Sequence, residues 1–244
     1  TYTNIHEYDR DIDNKVIMRF APTGKYYTIQ RFQVAYVFVF YAIMTLYWTT
    51  VKDFIQHFEF IKQGHNRESK KDQAKNLARL IIWKIIYIGY IIVLPMVLLD
   101  LSFLQVFIGF ISLHAVAGLI LSVIFQLAHV VEETTFPTPD AKGNIENEWA
   151  IHQLETTADF SKNNPLITFY VGGLNYQAIH HLFPRICHVH YPAIAPIVEQ
   201  TAKEFGVPYL YNESFGKAFA SHIRILSKLG KREATFMAIA NSMG

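Results

Sequence analysis

The residues most able to do chemistry stand in the stretch NYQAIHHLFP, Asn175 to Pro184. Gln177, His180 and His181 fall at i, i+3 and i+4, so on a helix the glutamine shares a face with both histidines. Adjacent helical residues diverge by about 100°, so the two imidazoles need not bind the same ion and can serve two neighbouring metals. Neutral imidazole suits zinc, copper and iron, so residue type alone does not choose the metal. A second group, FQLAHVVEE, repeats the pattern with Gln126 and His129 at i and i+3. His152, in AIHQLETTADF, and Asn175 are further candidates, as ligands or as hydrogen-bond donors behind ligands. A lone His-His pair is more often structural, and it is the second group that raises the metal reading above that.

Other chemistries fit less well. The single cysteine, Cys187, excludes an internal disulfide and any multi-cysteine metal site. A carboxylate-bridged di-iron bundle wants two Glu-x-x-His pairs, and neither is present. Asp9, Asp11 and Asp13 have calcium-loop spacing, but Asn14 and Phe20 stand where the loop needs glycine and glutamate; residues 1–31 therefore read as a solvated loop or cap. His188 and His190 could meet a head group, a redox partner or only backbone. His114 reads as a satisfied polar residue within a bundle, although its depth hints at function. His6, His57, His65 and His222 read as loop or interface residues.

The elements that must position these groups are apolar. Hydrophobic residues make up 51% of the 244 and charged residues 17%, against about 25% charged in soluble domains, which points to a membrane protein. A net charge of +2 without a basic, aromatic-interleaved run gives no support to nucleic acid as a partner. Phe32 to Thr50 is long enough to span. Residues 51–79 carry seven Lys and Arg against four acids and read as a basic cytoplasmic loop. Leu80 to Leu99, kinked at Pro95 and with Lys84 snorkelling near its start, and Phe103 to Val131 form a transmembrane hairpin turning at Asp100-Leu101-Ser102. His129 falls roughly 39 Å along the second helix, just past the hydrocarbon and on the basic-loop side; His114 falls near the midplane. Ala115, Gly118 and Ser122 give that helix a face for close packing. Asn147 is the expected cap of a helix through Phe160. Pro192 to Phe205 has helix start and stop signals. Asn212 to Leu229 is amphipathic, suited equally to a membrane face or to packing on the domain.

GGLNYQAIHHLFPRICHVHYPAI resembles the third histidine box of membrane fatty acid desaturases, Q-x-x-H-H followed by Leu-Phe-Pro, in the glutamine form typical of front-end desaturases. FQLAHVVEETTFP is similar to the exit of that family's last membrane helix, which supplies a histidine ligand outside the boxes. The similarity runs from Thr1 to the helix ending near Phe205. It implies that His129, His180 and His181 are iron ligands, with Gln177 a weaker one standing where many relatives have histidine. It further implies two iron ions, dioxygen as co-substrate, an acyl-chain lipid substrate and an electron donor such as cytochrome b5 or a ferredoxin. The fold it implies is all-α, a polytopic membrane helical bundle whose cytoplasmic helical cap carries the histidine-rich site. The family's first two boxes are not in this sequence, and TYTNIHEYDRDID resembles the segment directly after the second box. The missing ligands are therefore expected upstream of Thr1, and this chain alone is expected to be inactive. The expected organisation is one truncated desaturase domain, 1–244, with 32–50 interfacial or re-entrant (the counter-reading being a third span), 80–131 a transmembrane hairpin and 132–244 the cytoplasmic cap. The rivals are a histidine-box membrane hydroxylase and a non-catalytic membrane scaffold.

Overall fold

A computed structural model describes residues 2–5, 8, 9, 12, 16–64 and 68–232. His6, His65, Asp11, Asp13 and Asn14 lie outside them. The chain divides into two compact units, one of Phe38–Ser122 and one of Thr1–Val37 with Val123–Gly244. The fold is dominated by helices α1 (Gln33–Tyr47), α2 (Asp53–Lys62), α3 (Lys70–Ile88), α4 (Leu94–Leu99), α5 (Phe103–His129), α6 (Trp149–Thr156), α7 (Pro165–Tyr170), α8 (Gln177–Leu182), α9 (Tyr191–Glu204) and α10 (Phe215–Leu229).

Three helical stretches are long and apolar enough to cross a membrane: Thr28–Lys62, Lys70–Leu99 and Phe103–His129. In their apolar parts they expose residues that a hydrocarbon phase accepts; Ile85, Val97 and Leu98 are 65%, 72% and 68% exposed. The bilayer hides such faces, so close packing between helices falls to small residues. Within the Phe38–Ser122 unit, Gly118 meets Ala42, where an added Cβ would sit 2.5 Å from the backbone oxygen, and the Ser122 hydroxyl donates to the Tyr41 carbonyl (3.4 Å). The residue pairs 41–122, 42–118 and 45–114 run in opposite order, so α1 and α5 are antiparallel where they touch.

His114 ties three helices there. The Thr45 hydroxyl donates to the His114 carbonyl (2.8 Å). Its only hydrogen is then committed, so at 3.1 Å the His114 Nδ1–H must donate to it. Nε2 is left to accept from the Tyr87 hydroxyl (2.8 Å). The expectation of a satisfied polar residue holds.

Two local expectations need correction. Residues 51–79 are largely helix, continuous to Lys62 and resuming at Lys70. Charge does not break a helix; glycine, proline and missing caps do. The first helix ends at Gly64, with φ +71°, and Ser69 caps the next by accepting from the Asp72 N–H (3.2 Å). Lys84 does not snorkel alone: its ammonium pairs with Asp53 at 2.6 Å. The backbone departs from regular helix beside Pro95 and leaves it at Asp100, where the sequence puts a kink and a turn. A π-helical turn, Gly89–Val93, precedes Pro95, whose ring removes the hydrogen bond to residue 91. Asp100 then leaves the helix at φ 50°.

In the other unit α6 stops at Thr156, short of Phe160, and Asn147 does not cap it. The Asn147 amide donates to Glu155 (2.8 Å), while Glu148 holds the cap position. The β-branched pair Thr156-Thr157 turns the chain into strand β1 (Ala158–Phe160), parallel to β2 (Leu210–Asn212) with Asp159 opposite Tyr211. α9 begins and ends within a residue of its sequence signals. α10 packs on its own unit. His222 faces the Val130 carbonyl (Nδ1 to O 2.6 Å), the Ser221 hydroxyl donates to Glu133 (2.7 Å), and Glu132 pairs with Arg224 and Lys228.

Several described residues of the opening segment are buried, which suits a cap better than a solvated loop, while Tyr2, Tyr8 and Val16 are exposed. Asn4, Arg19, Ile5 and Ile12 are at most 1% exposed. The Asn4 amide donates to the carbonyls of His129, Thr135 and Thr156 (2.9, 3.1 and 3.2 Å). Arg19 donates to the Leu229 carbonyl at the end of α10 (3.2 Å).

Candidate metal centre

α8 is too short to hold itself; its buried face holds it. Ala178 and Ile179 are 1% and 0% exposed, Ala178 packing with Leu154 and Ala202, and Ile179 with Tyr176, Tyr191 and Ala195. Burial of an isoleucine is worth about 2–3 kcal/mol. The α8 N-terminus is held from β1: the Ala178 N–H donates to Asp159 Oδ1 (2.9 Å), and Tyr209 donates to the other carboxyl oxygen. Burial lifts the Asp159 pKa to about 6, the Tyr209 hydroxyl opposing it. In the loop before α8, Gly173 has φ +76° and a Cβ there would meet His188 Cβ at 2.7 Å.

Fixing the buried face turns Gln177 and His181 together. The Gln177 Nε2 lies 3.4 Å from the Nε2 of His129 and 3.4 Å from the Nε2 of His181. The two rings lie 5.0 Å apart at 37°. His129 is buried, with Phe125 against its ring (4.7 Å between centroids). The His181 Nδ1 faces Gln153 Oε1 at 2.7 Å. His180 points elsewhere. Its Nδ1 faces the Tyr191 hydroxyl (3.1 Å), and its ring lies 6.1 Å from that of His181. Burial pulls His181 down to about 4, with His180 beside it adding to the effect; burial also lowers His180 and His152. Burial thus favours the neutral form of all three imidazoles, the form that binds a metal.

The structure thus brings together His129, His181 and Gln177, with His180 adjacent. His152 is 1% exposed, and its Nε2 has no hydrogen-bond partner among the described residues. Its neighbour Gln153, which sequence reasoning passed over, is the α6 residue that reaches His181. Asn175 is buried but turned to the loop, donating to Thr168 Oγ1 (3.0 Å) and the Ser161 carbonyl (3.4 Å). The Gln126 side chain is buried, its Oε1 unbonded among the described residues. His188 and His190 are exposed. The donor set fits a metal in part: two imidazole nitrogens converge on one point, but no group of three or more His, Cys, Asp or Glu side chains gathers as a metal site among the described residues.

Comparison with known proteins decides the class. The chain matches the family described as fatty acid desaturase over residues 2–212. The chain belongs to the fatty acid desaturase family. It is 38% identical over 229 residues to the sn-1 linoleoyl-lipid 6-desaturase of Arthrospira platensis, covering 94% of this chain and 61% of that one. To the acyl-lipid (8-3)-desaturase of Physcomitrium patens it is 37% identical over 237 residues, 96% of this chain and 48% of that one. To the Delta(5) fatty acid desaturase A of Dictyostelium discoideum it is 34% identical over 241 residues, 94% and 50%. The chain spans about half to three-fifths of the length of these relatives. No solved structure matches it. With three membrane-length apolar helices, this desaturase-family chain is an integral membrane protein, and helix α10 lies beyond the matched region.

Proposed function

We propose that this chain is part of a front-end desaturase that inserts a double bond into an acyl chain, and that it supplies His129, His180 and His181 to a pair of iron ions. The observation that carries this reading is the approach of the His129 and His181 Nε2 atoms to one Gln177 amide, each at 3.4 Å, from positions 52 residues apart. Gln177 sits between them as a weaker ligand or as the group that orients a bound molecule. What supports His152 as a further ligand is its buried, unbonded Nε2; what supports Asn175 as a support for the site is its hold on the loop before α8. The iron pair, when bound, supplies the oxidising power to break unactivated C–H bonds with dioxygen, which no side chain can do. The chain's own residues hold neutral imidazoles toward one point, and Phe125 covers one of them.

The names of the relatives support an acyl lipid as substrate. The electron donor is cytochrome b5 or a ferredoxin. Residues 1–244 belong to one desaturase domain, in which 80–131 cross as a hairpin, 32–50 are interfacial or re-entrant, and 132–244 form a cap on the cytoplasmic face with the metal site. Thiol labelling tests this topology. Cys187 is exposed, and a cysteine replacing Lys70 in a Cys187→Ser background should be labelled from the same side. Labelling from opposite sides contradicts it.

In membranes holding the full-length protein, a new double bond should form, and His180→Ala or His181→Ala should abolish it. Unchanged product in either variant overturns the assignment, and a hydroxylated product places the chain with the hydroxylases.

A further inference from the structure

Gln153 is 1% exposed and lies on α6, outside both histidine groups. Its Oε1 accepts from the Thr3 hydroxyl (2.9 Å) and lies 2.7 Å from the His181 Nδ1. Thr3 also approaches that nitrogen, at 3.4 Å.

An amide oxygen can only accept, so at 2.7 Å the nitrogen facing it must carry a hydrogen. A neutral imidazole has one N–H. With it on Nδ1, the Nε2 lone pair is left open toward Gln177 and His129, where a metal would sit. The opposite amide orientation would set N–H groups against Nδ1, drive the hydrogen to Nε2 and close the lone pair. His180 has no such constraint, because the Tyr191 hydroxyl facing its Nδ1 can donate or accept.

We propose that Gln153 is a positioning residue for the metal centre: its Oε1, held by Thr3, fixes the hydrogen of His181 on Nδ1 and so keeps Nε2 available as a ligand. The inference rests on His181 being a metal ligand, as proposed above. A hydrogen-bond acceptor behind a ligating histidine orients the ring and raises its basicity, and its loss typically costs 10–100-fold in metal affinity.

The test uses full-length protein in detergent, stripped of metal and titrated with ferrous iron or cobalt(II) against a competing chelator. Cobalt absorption reports the ligand field. Four variants are compared: His181→Ala, Gln153→Leu, Gln153→Glu and Thr3→Val. Gln153→Leu should weaken binding about 10–100-fold and alter the cobalt spectrum. Gln153→Glu, which can only accept, should restore affinity to within a few-fold, and Thr3→Val should weaken it a few-fold. A residue that merely filled space would not be rescued by glutamate and lost to leucine. If His181→Ala loses metal while Gln153→Leu binds as the wild type does, this inference falls and the metal reading stands. If His181→Ala binds as the wild type does, the metal reading itself falls. Should Gln153→Leu lose its helical circular dichroism, the folded Thr3→Val variant decides: unchanged affinity overturns the proposal.

Discussion

His114 and His181 are both histidines held by helices, yet their surroundings end differently. At His114 both ring nitrogens are closed at ordinary hydrogen-bond lengths, 3.1 Å to Thr45 and 2.8 Å to Tyr87. At His181 one nitrogen is closed at 2.7 Å and the other meets only an amide at 3.4 Å, which His129 shares. A histidine tied at both nitrogens joins helices, and one tied at a single nitrogen has a lone pair left for chemistry. The two stand in separate compact units, Phe38–Ser122 and the remainder, so variants of each test this distinction separately.

The largest effect belongs to the half-open histidine. His129→Ala or His181→Ala should lower product formation by at least about 100-fold, since losing even a partner behind a ligand costs 10–100-fold; fatty acid profiles of membranes holding the full-length protein measure it. Product near wild-type level from either would erase the contrast with His114.

The close packing beside His114 comes next. Gly118→Leu must push a side chain into the Ala42 backbone, and should cost about 3 kcal/mol or more, read as a lower thermal midpoint in detergent. An unchanged midpoint would mean that α1 and α5 do not touch there.

The support beneath α8 should be sensitive to pH. The folded Asp159 pKa is raised to about 6 from 3.8, so between these values the folded state binds more protons than the unfolded one. Its contribution to stability therefore grows as pH falls from about 6 to 4, by no more than about 3 kcal/mol. The buried His222, lowered from 6.5 to about 4, acts oppositely and loses stability on acidification through the same window. Asp159→Asn should make unfolding more acid-sensitive than in the wild type, and His222→Gln less so. Denaturant midpoints at pH 4.5 and 7 give the comparison; the reverse order would place the protons wrongly.

The closed histidine should give the smallest effect. His114→Phe removes the acceptor of Tyr87 and a donor to Thr45, worth about 1 kcal/mol together at the average found for bonds inside membranes. It should lower the thermal midpoint slightly and leave metal content unchanged. Loss of metal on His114→Phe would show that the two histidines are not separable.

Much of this contrast was legible in residue order. Long apolar runs, Pro95 with the Asp100 turn, the start and stop of α9, the small residues of α5 and the i, i+4 pairing of Gln177 with His181 all rest on local periodicity or a single turn residue, which a sequence displays, whereas His180 turns to Tyr191 instead. What was hidden depends on distant partners. Nothing near Asn4 or Arg19 announces that they bond carbonyls 125 and 210 residues away. The β1–β2 pair joins two three-residue segments far apart in the chain, each too short for a pattern. Residues 53–62 looked like loop because they fall in the basic 51–79 segment, whereas helix there needed only the absence of glycine and proline. Gln153 was overlooked beside His152 because type favoured the histidine; only the turn of α6 decides which of the two reaches His181.

We propose that His129 and His181 serve one metal site. A double-mutant cycle in metal affinity on the full-length protein tests it most directly: His129→Ala, His181→Ala and both together, titrated with ferrous iron against a chelator. Ligands of a shared ion should be strongly non-additive, the double variant losing little more than the worse single one. Independent, additive losses, or wild-type affinity in either single variant, would contradict it.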